Sequence, residues 1–170
     1  MTTATSRHAP TSAHAAFLVR PAHRRDARAL ASLSRPFVRS GALRERPLSL
    51  YASDAADFLV VEAPGGVLGG CLGLRVHPAD PACGRAPTGV LYNFCVAPGS
   101  QGQGLGGLLL RAALARAKSH SLEALFTATT GGGDLFLRFG FVPAGVRPAP
   151  ESWVNSLDPK RNSRVLACAL

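Results

Sequence analysis

Leu91-Tyr92-Asn93-Phe94-Cys95-Val96 is followed by Ala97-Pro98-Gly99-Ser100 and then by Gln101-Gly102-Gln103-Gly104-Leu105-Gly106. The first six residues are apolar and aromatic, the pattern of a buried strand. Pro98 and Gly99 break that strand. Beyond the glycines, Leu105, Leu108, Leu109, Ala112 and Ala115 recur at i, i+3, i+4 and i+7, which is a helix with one apolar face. A glycine-rich turn between a strand and a helix N-terminus can aim several backbone N–H groups at one anion, where the helix dipole also favours negative charge. Glycine lets the backbone come close to a phosphate with no β-carbon between them.

Two well-known phosphate-binding turns fail the spacing test. The dinucleotide turn is Gly-x-Gly-x-x-Gly in the first βαβ unit, with an acidic residue about 20 positions later. Here the spacing differs and the turn lies past mid-chain. The nucleoside-triphosphate turn requires Lys-Ser/Thr after the last glycine, whereas Gly107-Leu108 follows here. Gln-x-x-Gly-x-Gly after a strand and a Val-x-Pro bend is similar to the coenzyme A pyrophosphate loop of the GNAT acetyltransferases.

The rest of the chain reads as alternating short elements. Phe17–Arg20 is a first strand, and residues 26–34 a helix with Ala27, Leu30, Ala31 and Leu33 on its apolar side. Residues 48–55 form a second short helix. Residues 58–61 and 67–72 flank the turn Pro64-Gly65-Gly66 as a hairpin. Residues 77–88, with three prolines, read as a loop. A strand over 124–129, a short helix over 134–139 stopped by Gly140, and closing strands at 141–142 and 164–168 complete the series. The expected fold class is α/β, with a mixed, mostly antiparallel sheet flanked by helices. Residues 1–16, small, polar and acid-free, are expected as a disordered tail, and residues 17–170 as a single domain.

Composition narrows the partners. No apolar run nears the ~20 residues of a membrane span, so no membrane is expected. The formal charge of +9 would suit nucleic acid, but the arginines are spread along the chain with no basic helix or RNA-binding aromatic motif. A positive field serves coenzyme A and an acidic substrate equally well. Cys71, Cys83, Cys95 and Cys168 form no C-x-x-C pair, and no histidine clusters with them. Free thiols and a cytoplasmic setting are expected, with no metal. A homodimer is left open.

Within the GNAT superfamily, three further segments resemble the bacterial N-acetylglutamate synthases. These are residues 35–46, Arg-Pro-Phe-Val-Arg-Ser-Gly-Ala-Leu-Arg-Glu-Arg; residues 125–130 with 135–143; and the closing Lys160-Arg161-Asn162-Ser163-Arg164-Val165-Leu166. The resemblance implies a GNAT fold over residues 17–170, acetyl-CoA as cosubstrate, and transfer of its acetyl group to the amine of an amino acid, glutamate first. It places the cofactor on Gln101, Gly102, Gln103, Gly104, Leu105 and Gly106, and on the backbone of Cys95 and Val96. It places glutamate carboxylates at Arg46, Arg161 and Ser163. The long synthases carry an amino-acid-kinase-like region before the matching segment. None is read here, so arginine feedback through one is not expected. One departure stands out. The synthases carry a glutamate that can act as base where this chain has Val90. Phe136, where many GNAT enzymes have an acidic tyrosine, agrees with the synthases.

Acetyl transfer requires a held thioester, a neutral amine and a donor for the developing oxyanion. Tyr92, two residues after Val90 and on the same strand face, is a candidate for orienting a water that takes the amine proton. Thr130, with Thr129, is a candidate donor to the leaving thiolate, and Asp134 reads as a helix cap. Arginine is suited to carboxylates because its planar fork binds both oxygens. The alternatives are acetylation of another small amine, a drug or a protein N-terminus, and a non-catalytic acyl-CoA sensor, to which loss of the base would be neutral.

Overall fold

The computed structural model describes residues 17–131, 133–145 and 147–170. The expected tail lies outside the described residues. Seven strands form one sheet in the order β1-β2-β3-β4-β5-β7-β6: β1 Leu18–Pro21, β2 Phe58–Glu62, β3 Leu68–His77, β4 Thr88–Val96, β5 Ala124–Thr129, β6 Val142–Pro143 and β7 Arg164–Ala169. Among the described residues only β4 and β5 pair in parallel, and α3 (Leu105–Ser119) makes the crossover that a parallel pair requires. The remaining helices are α1 Ala27–Arg39, α2 Leu48–Ser53, α4 Asp134–Arg138 and α5 Glu151–Asn155.

The sheet is covered on both faces. On one, α3 buries Leu105, Leu109, Leu110, Ala113 and Ala117 against Leu72, Leu74, Leu91, Leu125 and Leu166. Each fully buried leucine contributes roughly 1.5–3 kcal/mol. On the other face, α1 and α2 lay Leu30 and Tyr51 on Phe58, Val60, Cys71 and Cys95. Farther along that face, Val90, Ala124, Phe126 and Ala167 lie under Trp153 of α5. Strand β2 therefore alternates between layers, with Leu59 and Val61 towards α3 and Phe58 and Val60 towards α1 and α2.

Some elements exceed their expected boundaries, and one, α5, was not expected. Helix α1 runs through Pro36 to Arg39. One missing N–H is tolerated there because Leu33 and Phe37 both pack on the α1/α2 core. Strand β3 continues to His77, because residues 73–77 find partners along β4 from Tyr92 back to Thr88. Helix α5, only five residues long, was too short to show a periodic pattern. Asp134 does not cap α4; Gly133 occupies the capping position and no side chain bonds there.

Two local features shape the middle of the sheet. The β4–β5 ladder runs from Thr88↔Ala124 to Leu91↔Thr127, and the Thr127 hydroxyl donates to the Leu91 carbonyl (3.3 Å) at its last rung. Beyond this, β4 continues beside β3 and β5 beside β7. The stretch Tyr92–Val96 thus turns one backbone edge into a gap within the sheet. The β3–β4 register also slips between Cys71 and Gly73, which pair with Cys95 and Tyr92. Asn93 and Phe94 share a single opposing residue, Leu72. Asn93 absorbs this bulge with φ +50°, a region that asparagine enters more readily than most residues.

Candidate active site

A cleft of about 560 Å³ opens on the α1/α2 face of the sheet, beside the β4–β5 gap. Its floor is β-strand: Arg75 and His77 from β3, Val90 to Asn93 from β4, and Ala128 from β5. Its walls are the 42–47 loop between α1 and α2, and the segment from α5 to Ser163. Arg46, Arg161, Ser163 and Tyr92, four of the expected residues, meet here. Two side-chain ties hold the walls together. Arg161 donates to the carbonyls of Gly41 and Ala42 (both 2.9 Å), and Arg44 donates to the carbonyl of Ser156 (2.9 Å).

Arg46 is the distinctive cation of this cleft. Its guanidinium lies 4.9 Å from the centre of the Tyr92 ring. Burial, with Arg44 and Arg75 nearby, pushes its pKa down, while Tyr92 and Tyr51 act against that; among the described residues no carboxylate forms an ion pair with it. Arg75, by contrast, is neutralised. It pairs with Asp54 and with Asp57 (3.1 Å). A half-buried arginine without an acidic partner among the described residues is a site for an anion supplied from outside.

Tyr92 lies edge-on to Phe58, with ring centroids 5.3 Å apart, and its hydroxyl donates to Asp57 (3.0 Å). Burial, reinforced by the Asp57 charge, holds its pKa well above the usual phenol range. It is a neutral phenol at physiological pH and stacks against Arg46. It can lie flat because Gly73 is beneath it; a β-carbon there would stand 2.7 Å from the ring. Val90 is 2% exposed and packs in the Phe126 cluster while bordering the cleft. His77 also borders it. Burial, with Arg75 nearby, lowers its pKa and keeps the ring neutral.

The glycine turn lies at the other end of the gap. Gly102 and Gly104 have φ of +77° and +78°, and no heavy atom lies within 4 Å of a β-carbon built at either. Gly104 is the N-cap of α3 with no side-chain cap, so the first-turn N–H groups face outward without a side-chain partner. Gln101 folds back, its Nε2 donating to the Val96 carbonyl (3.1 Å), and Gln103 Nε2 donates to the Gly99 carbonyl (3.4 Å). These two amides shape the loop. Gly106 serves packing: a β-carbon there would stand 3.0 Å from Leu135. A strand edge with no neighbouring strand, touched at the Val96 carbonyl by the Gln101 amide, an open backbone cradle and an uncapped helix start together fit an extended arm ending in a phosphate.

Thr130 is exposed just after β5 and does not line the cleft; its neighbour Thr129 accepts from the Gly131 N–H (3.2 Å). The Cys95 thiol does not line the cleft; it is buried in the α1/α2 core, 3.7 Å from Cys71 Sγ. That contact, and then burial, push the Cys71 thiol well above its usual range, so this buried pair offers no ready nucleophile. Asn93, Ser34, Tyr51, Asp57 and Arg75 were not singled out from the sequence. The signal for Asn93 was present: an amide inside an otherwise apolar strand.

Comparison with known proteins agrees with this geometry. Residues 24–141 match the Acetyltransferase (GNAT) family. An amino-acid acetyltransferase of Ralstonia nicotianae is 34% identical over 141 residues, 83% of this chain and 30% of that protein. One from Ectopseudomonas mendocina is 31% identical over 146 residues, 85% of this chain and 32% of that protein. The chain therefore spans about a third of the length of the curated relatives it matches. The crystal structure of N-acetylglutamate synthase from Neisseria gonorrhoeae, complexed with coenzyme A and N-acetyl-glutamate, superposes with a TM-score of 0.80 at 28% identity. It covers 92% of this chain and 36% of that one.

Proposed function

Since the chain belongs to the GNAT family of acetyltransferases, we propose that it transfers the acetyl group of acetyl-CoA to the amine of an amino acid, glutamate first. The observation that carries this reading is Arg46, a half-buried cation without an acidic partner, in one cleft with Arg161 and Ser163 beside a gap that fits an acylated pantetheine arm. The relatives, an amino-acid acetyltransferase and an N-acetylglutamate synthase, support the same choice.

In this reading the backbone of residues 101–106 holds the pyrophosphate. The backbone of Cys95 and Val96, beside the β4–β5 gap, pairs with the pantetheine arm as an added strand. Acetyl-CoA supplies an activated thioester. Arg46, Arg161 and Ser163 hold the acceptor's carboxylates, and Tyr92 keeps Arg46 in place. With Val90 where a base would stand and the Tyr92 hydroxyl on Asp57, solvent in the cleft takes the amine proton. Positioning can supply roughly 7–11 kcal/mol of barrier reduction, against about 10²–10⁴-fold from a general base, so a missing carboxylate slows this chemistry without forbidding it.

Free-thiol release from acetyl-CoA across a panel of amino acids and amines tests the proposal. Glutamate-dependent release is the expected result. Release only with a carboxylate-free amine would overturn the acceptor assignment. Coenzyme A binding with no release for any acceptor would favour the acyl-CoA sensor, which Val90 makes the second reading.

A further inference from the structure

We infer that Asn93 is a positioning residue, whose buried amide fixes the bulge of β4 from the helices that carry the acceptor loop. The inference rests on the acetyltransferase reading above. Asn93 is 5% exposed, and every polar group of its side chain is engaged by another element. Its Nδ2 donates to Ser34 Oγ in α1 (2.9 Å) and approaches Cys71 Sγ in β3 (3.6 Å). Its Oδ1 accepts from the Tyr51 hydroxyl in α2 (3.3 Å). Its own carbonyl accepts from the Cys71 thiol (3.4 Å). Ser34 and Tyr51 are 1% and 2% exposed, so neither bond competes with water.

The bulge has a consequence for the cleft. A regular strand would place Tyr92 and Phe94 on one face. Here Tyr92 packs on the α1/α2 face beneath Arg46, while Phe94 crosses to the other face and meets Phe136 with ring centroids 5.6 Å apart. The bulge also falls two residues past the last β4–β5 rung, where the peptide edge faces the gap. One side chain thus sets the direction of the strand edge that meets the thioester. It does so by gripping α1 and α2, between which the loop with Arg46 is strung. A bulge made by glycine would give the same backbone without that connection.

The deciding substitutions leave both the cleft lining and Asn93 intact. In a Ser34→Ala/Tyr51→Phe double variant, kcat should fall by at least about tenfold, the size of one good hydrogen bond. Coenzyme A affinity by calorimetry and the acceptor KM should stay within about threefold. Asn93→Gly and Asn93→Ala both lose the amide and should lower kcat at least as far as the double variant does, although glycine accepts the positive φ. Full kcat in the double variant, even with a lowered Tm, would reduce Asn93 to a structural residue and overturn the inference, as would full kcat in Asn93→Gly, which keeps the positive φ without the amide. If the Asn93 variants fail to fold, the double variant decides alone. Absence of wild-type turnover is a separate result: it would overturn the acetyltransferase reading, and the inference with it.

Discussion

Gly104 has φ +78° and empty space where a β-carbon would lie. Any L-residue there pays about 1–2 kcal/mol in backbone strain and points a side chain into the space an anion would take. Gly104→Val should therefore lower coenzyme A affinity by at least about tenfold in a protein that still folds, as calorimetry beside circular dichroism would record. Unchanged affinity would remove the glycine turn from the cofactor site. Val90 gives the opposite kind of prediction. It borders the cleft and packs against Phe126 and Ala167, so a carboxylate placed there is desolvated and its pKa rises towards the range useful to a base. Val90→Glu should lower Tm yet raise kcat, with a new acid limb in the pH–rate profile. A folded variant of lower turnover would show that the apolar packing at this position matters more than a base.

At the scale of the element, the entry to α1 is held by charge. Arg20 in β1 binds Asp26 through both terminal nitrogens (2.7 and 3.1 Å), and the His23 N–H donates to Asp26 Oδ2 (2.7 Å). The Arg20 bond, strengthened by the His23 N–H, lowers the Asp26 pKa from 3.8 to about 2 against the opposing effect of burial. A depressed carboxylate pKa stabilises the fold above its unfolded value, and that contribution is lost as pH falls through the folded value. Asp26 thus contributes about 2 kcal/mol near neutral pH, lost between about pH 4 and pH 2. Asp26→Asn should lower Tm at pH 7 and flatten the dependence of stability on pH in that window. An unchanged acid transition would place the stabilisation elsewhere.

The cleft exists only at the scale of the whole molecule. Arg161 donates to carbonyls 120 and 119 residues earlier in the chain, closing one wall on the other. These contacts engage one of its terminal nitrogens and leave donors of the guanidinium for a carboxylate. Arg161→Met keeps length and apolar contact but removes the fork. The KM for glutamate should rise at least about tenfold, because a hydrogen bond to a charged group is worth about 1.5–3 kcal/mol. Coenzyme A affinity should hold, since residues 101–106 belong to a separate part of the chain. A lower Tm with unaltered glutamate kinetics would mean that Arg161 only ties the loop.

What the sequence determined by itself was local. The strand–turn–helix over residues 91–119, the strand at residues 124–129 and the left-handed glycines follow from side-chain periodicity and φ preference, which neighbouring residues set. These were enough for the fold class; the family entered through the resemblance of the glycine turn and its neighbouring segments. Arg46, Arg161 and Ser163 were legible only through resemblance, since Arg46 meets the Arg161/Ser163 pair only once the chain has folded. Tertiary structure decided the rest. It buried Arg46 without an acid, turned the Cys95 thiol into the core, committed the Tyr92 hydroxyl to Asp57, and carried α1 through Pro36. It also made Asn93 a bulge, because Ser34 and Tyr51, 59 and 42 residues away in the chain, satisfy an amide that a regular strand would have left unpaired among apolar neighbours.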